Sequence, residues 1–359
     1  MSRRFVHVVV DNVIRCHCKY TLHSINASSF FYPERPSRYP ATIEDDLLPQ
    51  PAMSFHCPCN PLEYSGSMDF MSLGRDRKDI LGVDHVGRAI LYDTAFPAVR
   101  TMPTLHAPKS FPISVTAGNT LYVMNSRLGP PQHHTFEALL HGRLPDSASN
   151  GWFWRSLPPP PYVHDSAYHA EDEVDDDGEV HQPYEITAYT AVGGYSQIWI
   201  STAGVGTYAF DAMSGTWSKP GEWSLPFIGC AEFVPEHNLW FGFSSEDNQF
   251  CACDLTVTGE EQPSLRKVWE LDLRPPQDWI PNTKSYLVPL GSGKFCIVNL
   301  FRRSEELFSK AGYRYDKTER FAVFTGVEVE NVDGIGLRMI KHKSKHYCLD
   351  EDKLLDQVF

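Results

Sequence analysis

The chain has 359 residues, 42% of them hydrophobic and 13% aromatic, which is ample material for a core and too much for a disordered chain. With 45 acidic residues against 32 basic ones, its formal net charge of -13 argues against a general binder of nucleic-acid backbones. No run of about 18 apolar residues occurs, and the apolar stretch Phe5 to Val10 is interrupted by His7 and ended by Asp11, so neither a membrane span nor a secretory signal is expected. The expected address is cytoplasmic or nuclear, where nine cysteines stay mostly as thiols.

Short apolar runs with alternating character, bounded by Gly, Asn, Asp or Pro, predict strands along the whole chain. RFVHVVV (Arg4 to Val10) and KYTLHSI (Lys19 to Ile25) predict a first hairpin, with PAMSFHC (Pro51 to Cys57) as its outer strand and the distant KHYCL (Lys345 to Leu349) completing the group. Five hairpins follow: ILGVD with AILYD (80–93), TLYVM with TFEAL (120–139), QIWIS with TYAFD (197–211), LWFGF with FCACD (239–254) and FCIVNLF with FAVFT (295–325). Each is preceded by one more strand-like run, at Asp69, Phe111, Glu185, Cys230 and Ser285. Each is followed by another, at Val99, Trp152, Trp217, Leu265 and Gly336. The resulting four-stranded unit recurs about every 44 residues, or about every 70 where an insertion intervenes. The insertions are an acidic one at 164–183, expected to be disordered, and a loop at 302–320.

Four strands at this period predict an all-β chain folded as a single β-propeller domain over residues 1–359, with six blades and the ring closed by strands from both termini. Seven blades, or two stacked β-sandwiches, are the alternatives. Gly193 and Gly194, then Tyr208, Phe210 and Trp217, are the candidate structural positions of a kelch-type blade.

The motifs RRFVHVVV at Arg3, DFMSLG at Asp69, MPTLHAPKSFPISV at Met102, WRSLPPPPYV at Trp154, YEITAYTAVGG at Tyr184, FVPEHNLWFGF at Phe233 and LGSGKFCIVNLF at Leu290 span nearly the whole chain. Together they resemble an uncharacterised plant family of unknown function that is expanded in rice and other grasses. The resemblance implies a kelch-type or F-box-associated propeller and carries no activity, cofactor or catalytic residue. The sixty or so residues before the first complete unit are rich in strand-like runs, Ser and Pro, so no helical F-box is expected among them.

Three Cys-x-Cys pairs, Cys16 with Cys18, Cys57 with Cys59 and Cys251 with Cys253, offer thiolates beside His17 and His56. Zinc loops space their cysteines more widely, and on a strand this spacing puts two small apolar side chains on one face, so core packing is the expected role. EDEVDDDG at Glu171 fails as a calcium loop because Tyr184 stands where the closing Glu is needed. Asp172, Glu173, Asp175, Asp176 and Asp177 are instead a candidate loop for a basic partner. LGSGKF lacks the first glycine and the final hydroxyl of a phosphate loop. His133, His134, His342 and His346 are expected as solvated or satisfied imidazoles. WFWRSLPPPPYV at Trp152 is expected as an outer strand and crossover.

No catalytic residue, metal or cofactor is expected from these patterns. The expected function is that of a non-catalytic, monomeric scaffold binding a protein partner, with a ubiquitin-ligase component as one candidate. The alternative is an enzyme or sugar-binding propeller with its site at the mouth of a central channel. Convergent Tyr, His, Asp or Cys side chains at that mouth would favour the alternative.

Overall fold

The computed structural model describes residues 3–12, 19–34, 42–57, 66–74, 77–128, 134–165, 173–174, 180–181, 184–256, 262–308, 314–334, 336–349 and 353–359. Apart from single 3-10 turns at Ala27–Phe30 and Pro161–His164, every regular element described is a β-strand. The first are β1 (Phe5–Asn12), β2 (Lys19–Asn26), β3 (Ile43–Asp46) and β4 (Met53–His56). Four-stranded antiparallel meanders follow. One is β5 (Met68–Leu73), β6 (Asp79–Asp84), β7 (Ala89–Asp93) and β8 (Ala98–Met102), and the next is β9 (Pro112–Ala117), β10 (Thr120–Asn125), β11 (Phe136–Arg143) and β12 (Asn150–Ser156). A small ladder of β13 (Glu173–Val174) and β14 (Val180–His181) stands apart.

The next meander is β15 (Ile186–Val192), β16 (Gln197–Thr202), β17 (Gly206–Asp211) and β18 (Thr216–Gly221), followed by β19 (Phe227–Val234), β20 (Leu239–Ser244), β21 (Phe250–Cys253) and β22 (Leu265–Trp269). A two-position parallel contact, Ala188 with Gly229 and Tyr189 with Cys230, joins these two into one sheet. The last is β23 (Ile280–Gly291), β24 (Lys294–Phe308), β25 (Arg314–Val332) and β26 (Gly336–Leu349), with β3 added in parallel along β26. Finally β27 (Lys353–Val358) pairs antiparallel with β1 and makes the sheet β27-β1-β2-β4.

Burial explains the sequence pattern. Second strands such as β6, β10, β16 and β20 are buried at five of six positions, because both faces are covered, and they read as continuous apolar runs. Fourth strands such as β8 and β18 are largely exposed. The apolar clusters lie between consecutive units. Leu81 and Leu91 pack with Leu121 and Val123, Tyr122 and Phe136 with Ile198 and Phe210, and Trp199 with Trp240 and Cys251. Phe241 and Phe250 then pack with Phe295 and Ile297. Val298 and Phe324 pack with Val6, Val8 and Val358, while Leu22 and Phe55 pack with Phe70 and Ile80.

Two expectations are corrected. KHYCL is the end of β26, in the last meander, and the strand that joins the first hairpin is β27. Of residues 302–320, expected as a loop, 302–308 and 314–320 instead lengthen β24 and β25, paired from Arg302 with Arg320 out to Phe308 with Arg314. The cross-strand charged pair Arg303 and Glu319 supports the inner part of that ladder.

Candidate functional site

The first strand of every four-stranded group, β27, β5, β9, β15, β19 and β23, contributes to the wall of one cavity of about 1250 Å³. Four of these, β27, β5, β9 and β23, are edge strands of their sheets. Strand residues such as Ser72, Thr116, Tyr189, Cys230, Tyr286 and Gln357 line it. The turns after the first strands add Arg77, Lys78 and Tyr195.

Arg77 sits in the left-handed region (φ 48°) at the end of a tight turn whose Gly74 (φ 84°) accepts from the Arg77 N–H at 2.9 Å. This conformation delivers the guanidinium to Glu232 on β19, where both carboxylate oxygens accept from it. Burial works against the charge on Arg77, but Glu232 outweighs it and the guanidinium is held charged. Cys230 lies two residues before Glu232, with Sγ 3.7 Å from Oε1. Burial first, and the Glu232 charge second, push its thiol well above the usual range. The same burial, with Cys230 and Glu232 nearby, raises the Tyr189 phenol. Both groups are therefore protonated donors at neutral pH.

A second polar group surrounds Asp356 on β27. Its backbone carbonyl accepts from Tyr286 Oη at 2.6 Å and from Lys284 Nζ at 3.3 Å, and that ammonium lies 4.9 Å from the Tyr286 ring centroid. Burial pushes the Asp356 carboxyl up to about 6 against the pull of Lys284, with Asp11 adding to the rise. Burial and the Asp356 charge push Asp69 up to about 7. His7, whose Nδ1 lies 3.0 Å from Ser24 Oγ, is lowered to about 4 by burial and Arg3 and stays neutral.

Among the described residues, none of the candidate positions singled out in the sequence, apart from the neighbourhood of the paired glycines, belongs to this cavity. Gly193 and Gly194 (φ 64° and 66°) form the β15–β16 turn, and the next residue, Tyr195 (φ 72°), reaches the cavity wall. Phe210 packs edge-on to Phe136 at 5.0 Å and against Trp217 at 5.2 Å, and Tyr208 packs edge-on to Tyr162 at 5.1 Å, between adjacent meanders. Of the acidic candidates, Glu173 opens β13, while Asp172, Asp175, Asp176 and Asp177 lie outside the described residues. Cys16, His17, Cys18, Cys59 and His133 also lie outside them.

Cys251 and Cys253 point into one apolar cluster, and burial pushes both thiols up to about 12. Cys57 is buried, its Sγ 3.2 Å from His85 Nδ1. Among the described residues no group of three or more His, Cys, Asp or Glu side chains is placed to hold a metal ion. No described helix is long and apolar enough to cross a membrane. His342 is buried beside Glu328 at 3.3 Å, and His346 reaches Asp45 at 2.9 Å. His134 stacks on His106 at 5.0 Å, and His106 binds the fully buried Glu137 together with Lys109.

Glu232 was missed because it is one polar position inside the otherwise apolar first strand FIGCAEFV, and Arg77 because it lies in the connection between β5 and β6. The available signal was that an otherwise apolar strand carries a charge at all.

A family model described as "Protein of unknown function (DUF1668)" matches residues 3–348. The chain belongs to the DUF1668 family. No curated protein matches this DUF1668 chain. Solved structures similar to it include the C-terminal WD40 domain of Sif2, 10% identical, covering 94% of this chain and 82% of that one with a TM-score of 0.38. The β-propeller domain of Myceliophteria thermophila Cps50 (Swd1) is 12% identical, with coverage of 94% and 90% and a TM-score of 0.34. A chain from a Saccharomyces cerevisiae complex of a Dbp5 variant with Nup159, a Gle1 variant, IP6 and ADP is 9% identical, with 79% of the DUF1668 chain covered and a TM-score of 0.31. The DUF1668 chain spans only 62% of that chain's length.

Proposed function

We propose that the six four-stranded groups are the blades of one closed β-propeller, and that the chain is a non-catalytic scaffold that binds another protein through the loops around its cavity. The observation that carries this reading is the contribution of all six first strands to one cavity wall. The pairing of β27 with β1, and the apolar clusters that run from each group to the next and from last to first, support the ring. Such a ring gathers loops from every blade around two mouths, and loops held on a rigid frame are binding surface.

The state of the cavity's side chains supports binding over covalent chemistry. Cys230 is held as a thiol and Glu232 is occupied by Arg77, so neither is poised as nucleophile or base. Two equivalent turns present large apolar side chains to solvent. Phe96, 78% exposed, follows β7, and Met213, 90% exposed, follows β17. Each turn is fixed by an aspartate, Asp93 or Asp211, accepting from backbone N–H groups two and three residues on.

The test is quantitative capture of partners by the tagged chain beside the variant Phe96→Asp with Met213→Asp. The reading expects a reproducible partner that this folded variant loses. A partner list unchanged by substitutions at any mouth loop would overturn it. A second reading, acid chemistry on a small molecule, is favoured by the raised carboxyls of Asp356 and Asp69 behind the cavity wall, where the lining residues Lys284 and Tyr286 donate to the Asp356 carbonyl. Turnover of a small molecule abolished by Asp69→Asn would establish it instead.

A further inference from the structure

We propose that a second pocket, between the β15–β18 and β19–β22 groups, is an aromatic cage for a quaternary ammonium group. Its volume is about 360 Å³, within the range of roughly 300–1,000 Å³ that small-molecule sites occupy. Four aromatic side chains line it: Tyr195 from the β15–β16 turn, Trp199 on β16, Phe233 on β19 and Trp240 on β20. The Phe233 and Trp240 rings lie against each other, 4.7 Å between centroids. Among the described residues, none that lines this pocket carries a charge.

The polar edges of both indoles are already committed. Trp199 Nε1 donates to Gln197 Oε1 at 2.9 Å, and Trp240 Nε1 donates to the Ala191 carbonyl at 2.9 Å. The indoles therefore give the pocket π surface and no donor, which suits an electropositive guest and not an anion. Aromatic faces attract cations through their quadrupole, and Trp does so most strongly. A bare ammonium or guanidinium entering such a pocket would lose its water without enough acceptors to replace it. A fully methylated ammonium keeps its charge, donates no hydrogen bond and turns methyl groups to apolar walls. The chain's net charge of -13 draws cations toward its surface. Trp199 and Trp240 belong to the apolar cluster between the two groups, so those walls are fixed before a guest arrives. Tyr195, 40% exposed, is the wall that solvent reaches, and its turn is set by the left-handed backbone of Gly193 and Gly194.

This inference goes beyond the scaffold reading and fails separately from it: partner capture without ammonium binding leaves the scaffold standing, and ammonium binding without a partner leaves this inference standing. The experiment is calorimetric titration of the full chain with choline, with N-acetyl-trimethyllysine amide, and with neohexanol, the uncharged isostere of choline in which carbon replaces nitrogen. The expected result is saturable one-to-one binding of at least one of the two cations with Kd below about 1 mM, and binding of neohexanol at least about tenfold weaker than that of choline or undetected. Tighter binding of choline points to a free small molecule, and tighter binding of the trimethyllysine amide to a methylated side chain of a protein; both support the inference. Tyr195→Leu removes the exposed ring and should weaken cation binding about threefold or more, whereas Tyr195→Phe keeps the ring and should bind as the parent does, with thermal melts of both variants matching the parent. Failure of both cations to bind below about 1 mM, a gap to neohexanol smaller than about tenfold, or undiminished binding by the Tyr195→Leu chain would overturn the inference.

Discussion

Arg77 and Glu232, 155 residues apart in sequence, form a two-pronged ion pair that links the β5–β8 group to the β19–β22 group across the cavity wall. Each comes from a different apolar interface, so the pair couples groups that share no core cluster. Arg77→Ala leaves the Glu232 carboxylate partly buried without its partner. Because both side chains keep some contact with the cavity, the expected loss is roughly 2–3 kcal/mol, toward the low end for a broken buried pair. The Arg77→Gln, Glu232→Gln chain should lose less. Denaturant unfolding of the three proteins measures the difference.

Stability should also fall as pH rises toward neutrality. The folded chain keeps a proton on Asp69 up to about 7, whereas the unfolded chain releases it in the ordinary carboxylate range. Between those two limits the folded state binds more protons, so raising the pH favours unfolding. Asp69 and Asp356 interact, so the slope belongs to the pair. Asp69→Asn should leave stability at acid pH unchanged and raise it by roughly 1–2 kcal/mol at pH 8, with a flatter curve between. Unfolding free energies measured across that range would show the parent's slope halved or, against expectation, untouched.

Glu137 behaves in the opposite sense. Its side chain is fully buried, Lys109 is 2% exposed, and both Lys109 and His106 bind its oxygens. Burial alone would raise the carboxyl, but these partners hold it below the usual range, so its contribution is present at neutral pH and is lost as pH falls. Lys109→Ala should cost roughly 3–5 kcal/mol by stranding that carboxylate. His106→Ala, at a half-exposed site, should cost about 1 kcal/mol. Thermal melts of both variants at two pH values separate the roles.

The strap β3 covers the outer edge of β26 in parallel, from Ser344 with Ile43 to Tyr347 with Asp46, and adds Lys345–Asp46 and His346–Asp45 pairs. Deleting Ile43–Asp46 bares part of a long edge strand, and uncovered edges recruit other chains. The deleted protein should form concentration-dependent oligomers in sedimentation experiments, while the parent remains at one size.

Much of the architecture was legible because the second and third strands are covered on both faces, so ILGVD, QIWIS and LWFGF stand out as apolar runs between turn residues. β27 was not legible. In KLLDQV two adjacent leucines break the alternation, and the strand's polar Gln357 faces the cavity rather than a core. The cavity's chemistry was hidden for a related reason: Arg77, Glu232 and Tyr195 come from separate groups and meet only in the folded chain. Nothing local in RDRK or CAEFV distinguishes a strut from a solvated charge.

The pairing of Val8 with Val358 also sets a clock. At ordinary synthesis speeds, the ribosome needs on the order of 20 to 70 s between making these two residues. Throughout that interval β1 has hydrogen-bonding groups and the valines at positions 6, 8, 9 and 10 waiting for the last strand to be translated. The sheet begun with β1 is thus finished only when translation reaches β27.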